Sequence, residues 1–397
     1  MRTIFITLFI SLICLYSCSD RTPDKKSNET GIIKQDSVSV KKETTNQDSI
    51  PRLQRNFTLK DFYTDNHDLS ILIDSLFDKL SDEERIGQMI VTSSGSLGKS
   101  KQFVAELIKQ KKAGGVLLLG GSKESFTELI SFLKKTADSS KCLPLIFSTD
   151  AEPSLINLKI SGIKKFNPTI SIKNESESYK TASDISKVIK LIGFNQNYAP
   201  VCDLSFNKEI INNRSFGTDE KRVISLSSAF INATQEQNII ATAKHFPGHG
   251  NVSGDSHKED VTIKGELKEL NVFKEVIRAG VISVMVGHII ISDSGKYSTQ
   301  GLPATLSKRI VTDLLKNELG FKGIIITDGM NMKAVTKYES PSLKAVLAGC
   351  DMILMPSDET KLIISVKNEI DKNNEIRAQI YESVKKIIRA KICLGLI

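Results

Sequence analysis

Between residues 85 and 360 the chain alternates short apolar runs with longer amphipathic segments. A short run that is mostly apolar reads as a strand buried on both faces, as in a parallel sheet covered by helices. Eight such runs stand out: Gln88 to Ser93, Gly115 to Gly120, Pro144 to Asp150, Gln196 to Leu204, Ile239 to His245, Ile282 to Ile290, Gly323 to Asp328, and Asp351 to Pro356. Helices are predicted between and after them at Lys101 to Lys112, Glu124 to Asp138, Ser178 to Gly193, Asp219 to Gln237, Leu267 to Ala279, Ser307 to Leu319, Leu343 to Ala348, and in one long piece from Thr360 to Leu394. Gly193, Gly280 and Gly320 fall where helices should stop. Eight strand–helix units over roughly 300 residues predict a (β/α)8 TIM barrel. A doubly wound open sheet typically has fewer strands and often a glycine-rich phosphate loop, and neither GxGxxG nor a Walker A pattern occurs here.

Polar residues close several of these runs at their C-terminal ends: Asp150, Asp203, Lys244 with His245, His288 and Asp328. In a barrel those ends converge on one face, where active sites form. Any one of them could be a polar residue at a strand exit, but five together point to a site.

Ahead of the barrel, Arg2 precedes the apolar run Ile4 to Tyr16, which has the length of a secretory signal and falls short of the roughly 20 residues of a spanning helix. Leu15-Tyr16-Ser17-Cys18 resembles a bacterial lipobox, so Cys18 is the expected lipidation site. Residues 1–17 then form a signal peptide. Residues 18–58, rich in Lys, Asp, Ser, Thr, Asn and Gln, form a flexible tether that buries too little apolar surface to order itself. The barrel is expected over residues 59–397, at the cell envelope, anchored to a membrane through the lipid. Over 397 residues the chain is 40% hydrophobic and 25% charged, with a net charge of +8 and no tryptophan. Its lysines are spread along the whole length, and no basic run is interleaved with aromatics, so no nucleic-acid partner is expected. Cys142, Cys202, Cys350 and Cys393 lie among apolar residues without CxxC spacing, as buried free thiols do.

Four of the five histidines occupy two short segments: His245, His249 and His257 lie in residues 244–257, beside Lys244 and Asp255, and His288 ends VISVMVGH. Imidazole titrates near neutrality, so the cluster suits either acid/base chemistry or a metal. The metal reading would use His245, His249, Asp255 and His257, but their spacing crosses glycines and describes a loop rather than a rigid platform of ligands. No metal and no cofactor is therefore expected. His249, between two glycines, is expected to pack or hydrogen-bond within the loop, and His288, buried at a strand end, to be either a residue that supports the site or a satisfied core histidine.

KHFPGHG, the DSH that follows it, and IIITDGMNMKAV resemble glycoside hydrolase family 3, in particular its single-domain bacterial β-N-acetylglucosaminidases (beta-N-acetylhexosaminidases). APVCDL, NRSFGTD, MVGH, PATLS, LGFKGIIITD and AGCDMILMP extend the resemblance in family order from about Arg85 to Pro356. It implies retaining hydrolysis of a terminal β-N-acetylglucosamine from peptidoglycan fragments or related glycans, with a carbohydrate substrate as partner. Asp328 matches the nucleophile, His257 the acid/base, and Asp255 the carboxylate that orients the imidazole. The positions matching Asp150, Arg214, Lys244 and His245 hold the sugar's hydroxyls and acetamido group, and Lys244 is the cation expected to stabilise ionised Asp328.

One loop departs from the family. Where the pattern is Asp-x-Glu-Gly-Gly-x-Val-x-Arg, this chain has Asp150-Ala151-Glu152-Pro153-Ser154-Leu155-Ile156-Asn157-Leu158. Pro153 fixes φ and removes a donor, and Leu158 cannot donate to a hydroxyl, so altered sugar binding is expected. Two alternatives follow: a catalytically weakened envelope lipoprotein that holds glycans, and β-glucosidase-type specificity.

Overall fold

Eight parallel strands form where the apolar runs lie, at Ile90–Ser94 (β1), Gly115–Leu118 (β2), Ile146–Thr149 (β3), Gln196–Asn197 (β4), Ile240–Phe246 (β5), Ser283–Val286 (β6), Ile324–Thr327 (β7) and Ile353–Leu354 (β8). This is a computed structural model, and it describes residues 57–207, 211–250, 252 and 260–397. The expected signal peptide and Cys18 lie outside the described residues. Each strand pairs in parallel with the next in sequence, β1 pairs with β8 (Ile90 against Ile353), and a bridge between Ile326 and Met352 links β7 to β8, which closes the ring. The expected (β/α)8 barrel is the observed fold.

The two-residue side-chain period separates inside from outside. On β2 and β3, Leu117 and Ile146 join the main core, whereas Val116, Leu118 and Phe147 pack outward against helical residues such as Ile130, Leu133 and Ile189. Helices start where a side chain accepts from the first turn's free N–H groups. Ser122 caps Lys123–Ser139, Asn174 caps Glu175–Ile192, and Asp219 caps Glu220–Glu236. Gly193, Gly280 and Gly320, the expected stops, all take positive φ.

Four expectations about elements change. The fourth strand is two residues long because Pro200 has no N–H to give the ladder, and pairing resumes only at Val201 against Lys244. The sixth run divides after Val286; Ile289–Ser292 leaves the barrel and pairs with Val261–Lys264. The final helix breaks at Asn373, whose side chain accepts from Glu375 and Ile376 and so begins a second helix, Asn374–Cys393, after Glu359–Lys372. Two helices not expected from the apolar runs, His67–Asp78 and Asp82–Gln88, precede β1. The first buries Leu69, Ile73 and Phe77, and Arg85 from the second lies 4.0 Å from the Phe77 ring centroid. Cys202, Cys350 and Cys393 are buried free thiols, while Cys142 is only half-buried.

Candidate active site

A cavity of about 320 Å³ opens at the C-terminal ends of the strands and is lined by Asp150, Arg214, Lys244, His245 and Asp328. Three larger hollows, of about 370, 490 and 530 Å³, lie elsewhere. Size does not select the site; convergence of polar groups does. The lining also includes apolar side chains, Leu117, Leu155, Met285, Met332, Leu354 and Met355, which suits a ligand having both C–H faces and hydroxyls.

Lys244 and His245 are neighbours on β5, and in a regular strand their side chains would point to opposite faces. The pairing with β6 slips here: Lys244 faces Met285 and Phe246 faces Val286, so one residue is bulged out. This lets both side chains line the same cavity.

Glu152, 1% exposed, holds the cations in place. Arg214 donates to it through Nε (2.9 Å) and Nη2 (2.7 Å), and Lys244 Nζ lies 2.6 Å from its Oε1. Lys244 Nζ also donates to Asp150 Oδ1 at 2.9 Å. Burial opposes the charge on Glu152, but Arg214 and Lys244 outweigh it and hold the carboxyl far below its usual range. Burial likewise works against the Lys244 ammonium, and Asp150 and Glu152 more than compensate, raising its pKa. Arg214 is raised too, mainly by Glu152 against the pull of burial. Glu152 and Asp150 reach the Lys244 ammonium directly, and it lines the same cavity as Asp328.

Asp203 fixes His245. Its Oδ2 lies 2.6 Å from His245 Nδ1, and its two oxygens accept the backbone N–H groups of His245 (3.1 and 3.2 Å) and His249 (2.7 Å). An ionised carboxylate only accepts, so Nδ1 carries the hydrogen and Nε2 is left for the cavity. Burial raises and His245 lowers the Asp203 pKa, and the net direction is down. His249 turns inward instead: it is buried, its Nδ1 lies 3.4 Å from Asn207 Nδ2, and burial depresses its pKa. The two glycines of PGHG are required by close approach. A Cβ at Gly248 would stand 2.1 Å from Glu269 Oε2, and one at Gly250 would stand 1.6 Å from the Leu204 carbonyl oxygen. Glu269 binds this turn by accepting from Leu204 N at 2.5 Å and Gly250 N at 3.2 Å.

Asp328 follows β7, half-buried, with Oδ1 accepting from Gly329 N at 2.7 Å and its own N–H donating to Val286 O at 2.9 Å. His288 supports this turn from below. Its Nε2 lies 3.0 Å from Gly329 O and its Nδ1 2.8 Å from Thr305 Oγ1, which fits a neutral ring donating through Nε2 and accepting at Nδ1.

Asp150, Arg214, Lys244, His245 and Asp328 thus meet at one cavity, as a sugar site requires. Asp255 and His257 lie outside the described residues. Among the described residues no group of three or more His, Cys, Asp or Glu side chains is disposed to hold a metal. Sequence reasoning passed over Glu152, Glu269 and Tyr198. The Asp-x-Glu spacing after β3 was a usable signal for the first, since it repeats the strand period just where two cations were expected. Tyr198 lines the cavity, and its hydroxyl, bonded to Ser148 at 2.9 Å, has a raised pKa because it is buried.

Residues 81–390 match the family described as Glycosyl hydrolase family 3 N terminal domain. A Beta-hexosaminidase of Vibrio cholerae is 31% identical over 260 residues, covering 63% of this chain and 77% of the relative. Beta-hexosaminidase A of Pseudoalteromonas piscicida is 29% identical over 297 residues, 68% of this chain but 48% of the relative, so the chain spans about half that protein's length. Among solved structures, a glycoside hydrolase family 3 beta-N-acetylglucosaminidase from Paenibacillus sp. superposes with a TM-score of 0.72 at 27% identity, over 80% of this chain and 63% of that one. The Beta-N-acetylhexosaminidase of Beutenbergia cavernae shares the fold, with a TM-score of 0.71 at 23% identity over 79% of this chain and 99% of that one.

Proposed function

The chain belongs to glycosyl hydrolase family 3, and from that premise we propose that it is a retaining β-N-acetylhexosaminidase releasing terminal β-N-acetylglucosamine from peptidoglycan fragments or related glycans. The observation that carries this reading is the meeting of Asp150, Arg214, Lys244, His245 and Asp328 at one cavity on the C-terminal face of the barrel. The names of its Vibrio and Paenibacillus relatives supply the sugar.

In this reading Asp328 Oδ2 attacks the anomeric carbon as the glycosidic C–O bond breaks, and the leaving oxygen takes a proton from the His257 imidazolium. Neutral His257, oriented by Asp255, then removes a proton from the water that attacks the glycosyl-aspartate, and Asp328 leaves as a carboxylate. The bond from Gly329 N to Oδ1 stabilises the carboxylate. Asp150 and His245 Nε2 accept hydroxyl protons from the sugar, and Lys244 and Arg214 donate to its oxygens. Lipidation at Cys18 would place this barrel at the cell envelope, on a membrane surface where glycan fragments are met.

The altered loop supports a second reading, an envelope lipoprotein that binds glycans with weakened catalysis, because the position matching the family's arginine is Leu158, 82% exposed. Turnover of an aryl N-acetyl-β-glucosaminide separates the two. The hydrolase reading expects turnover that falls by about three orders of magnitude or more in Asp328→Asn. Binding without turnover of any aryl β-glycoside would favour the second reading, and turnover of the aryl β-glucoside alone would reassign the sugar.

A further inference from the structure

The loop that loses the family's arginine brings another cation to the cavity one residue later. Leu158 points to solvent, while Lys159 lines the cavity with Asp150, Arg214, Lys244 and Asp328. The backbone here is well anchored. Leu155 N and Ile156 N bond to Glu152 O at 2.9 and 2.8 Å, and Lys159 N bonds to Leu155 O at 3.0 Å, forming the short helix Ile156–Lys159. Ile156 and Ile160 are buried on either side, and Ile160 pairs with Gly121. The side chain of Asn157 both donates to and accepts from the backbone of Phe166, at 2.7 and 3.0 Å. A slip that brought Leu158 inward would expel Ile156 and Ile160 from the core, so the register is set by burial.

The three cations of the cavity are not equivalent. Lys244 faces Asp150 and Glu152, and Arg214 is held by Glu152 in a bidentate pair. Lys159 has no side-chain hydrogen bond or ion pair with any described residue. A lysine at the rim of a polar cavity with no carboxylate of its own offers its three donors to whatever enters. The groove of about 530 Å³ includes Phe166, to which Asn157 is bonded, and carries Lys164, Lys165, Lys173 and Lys180 with Glu177 and Asp184, where Asp184 pairs with Lys164 and Lys180.

Building on the hydrolase reading above, we propose that Lys159 is a specificity-determining residue, which makes the cavity prefer glycans carrying a carboxylate next to the bound sugar over otherwise equal uncharged ones. The ligand class is an acidic glycan. Its carboxylate would sit on the Lys159 ammonium.

The test uses the full chain and two non-cleavable thioglycosides of N-acetyl-β-glucosamine, alike except that one aglycone bears a carboxylate and the other the matching carboxamide. Calorimetry should give the carboxylate an advantage of about fivefold to tenfold. Lys159→Gln should abolish the advantage, Lys159→Arg should keep it, and Leu158→Arg should leave it as it is, since that side chain faces solvent. Raising the salt concentration should shrink it, because the pair is partly exposed. An equal preference in wild type and Lys159→Gln overturns the proposal, as does failure of wild type to bind either ligand. Turnover of the corresponding oxygen glycosides reads the other premise separately. A Lys159-dependent preference in a protein that cleaves neither would leave this inference standing and remove the hydrolase reading.

Discussion

Charge is buried at both ends of the barrel, and the two ends use it differently. At the lower end Asp351, just before β8, is fully buried and accepts from Ser383 Oγ at 2.7 Å, Lys386 Nζ at 2.8 Å and Ile325 N at 2.7 Å. Burial opposes its charge, Lys386 and Lys316 outweigh that, and its pKa is lowered. At the upper end Glu152 has the same physics, with burial opposed by Arg214 and Lys244. Yet Arg214 and Lys244 line a cavity at the C-terminal ends of the strands that also holds Asp150, His245 and Asp328, whereas Lys386 lines the hollow of about 490 Å³, away from those ends. A shifted buried carboxylate is thus a sign of a tight network, and it becomes a sign of function only where the network opens on the face where a barrel's active site forms.

Substitutions at the two ends should separate these roles. The largest effect is expected for Glu152→Gln, which leaves two buried cations without their shared carboxylate and should cost about 3–5 kcal/mol, read by urea denaturation, together with most of kcat/KM. Because the folded pKa of Glu152 is depressed, its contribution is present above the ordinary carboxylate range and fades as pH falls toward the folded value. The variant should accordingly lose less stability than wild type on acidification below about pH 5. Asp351→Asn should cost about 3 kcal/mol with KM and kcat unchanged at a temperature where the variant is folded. A loss of activity matching that of Glu152→Gln would erase the distinction between the ends.

Lys391 sharpens the contrast further. It is fully buried on the last helix with Gln88 Oε1 at 2.6 Å, and burial, opposed slightly by Cys142, pushes its pKa down from 10.5 to about 7. Between those values the unfolded chain holds a proton that the folded chain has released, so stability rises with pH. From pH 7 to 9 wild type should gain about 2–3 kcal/mol relative to Lys391→Met, at about 1.4 kcal/mol per unit. Denaturant midpoints across that range test it, and parallel curves would contradict it. The smallest effect is expected at His288. His288→Gln keeps a donor but changes its reach to Gly329 O, and kcat should fall about tenfold with stability nearly unaltered.

Much of this was legible from apolar runs. All eight strands were found because parallel strands covered on both faces are buried along their length and carry few charged positions to blur them. Where the reading erred, a polar side chain or a proline decided. Pro200 shortened β4, and Asn373 began a new helix with a cap no different in composition from the helix around it. Helix His67–Asp78 was passed over although Leu69, Ile73 and Phe77 have helical spacing, and Ser81 with Glu84 marks the start of the next helix as a capping box. At the site, strand-end residues were readable one by one; the Asp-x-Glu spacing could flag Glu152 but not its role, which depends on Arg214 arriving from a segment 62 residues away. The same holds for Lys159: the sequence shows an arginine lost at Leu158, and only the burial of Ile156 and Ile160 shows where the next cation points.

The central claim is that Asp328 is the nucleophile of a working hydrolase. A fluorinated N-acetylglucosaminide that forms its glycosyl-enzyme faster than water removes it should label the full chain once, and peptide mass spectrometry should place the label on Asp328, with none in Asp328→Asn. Turnover of the aryl glycoside without any adduct, or an adduct on another residue, would contradict the account.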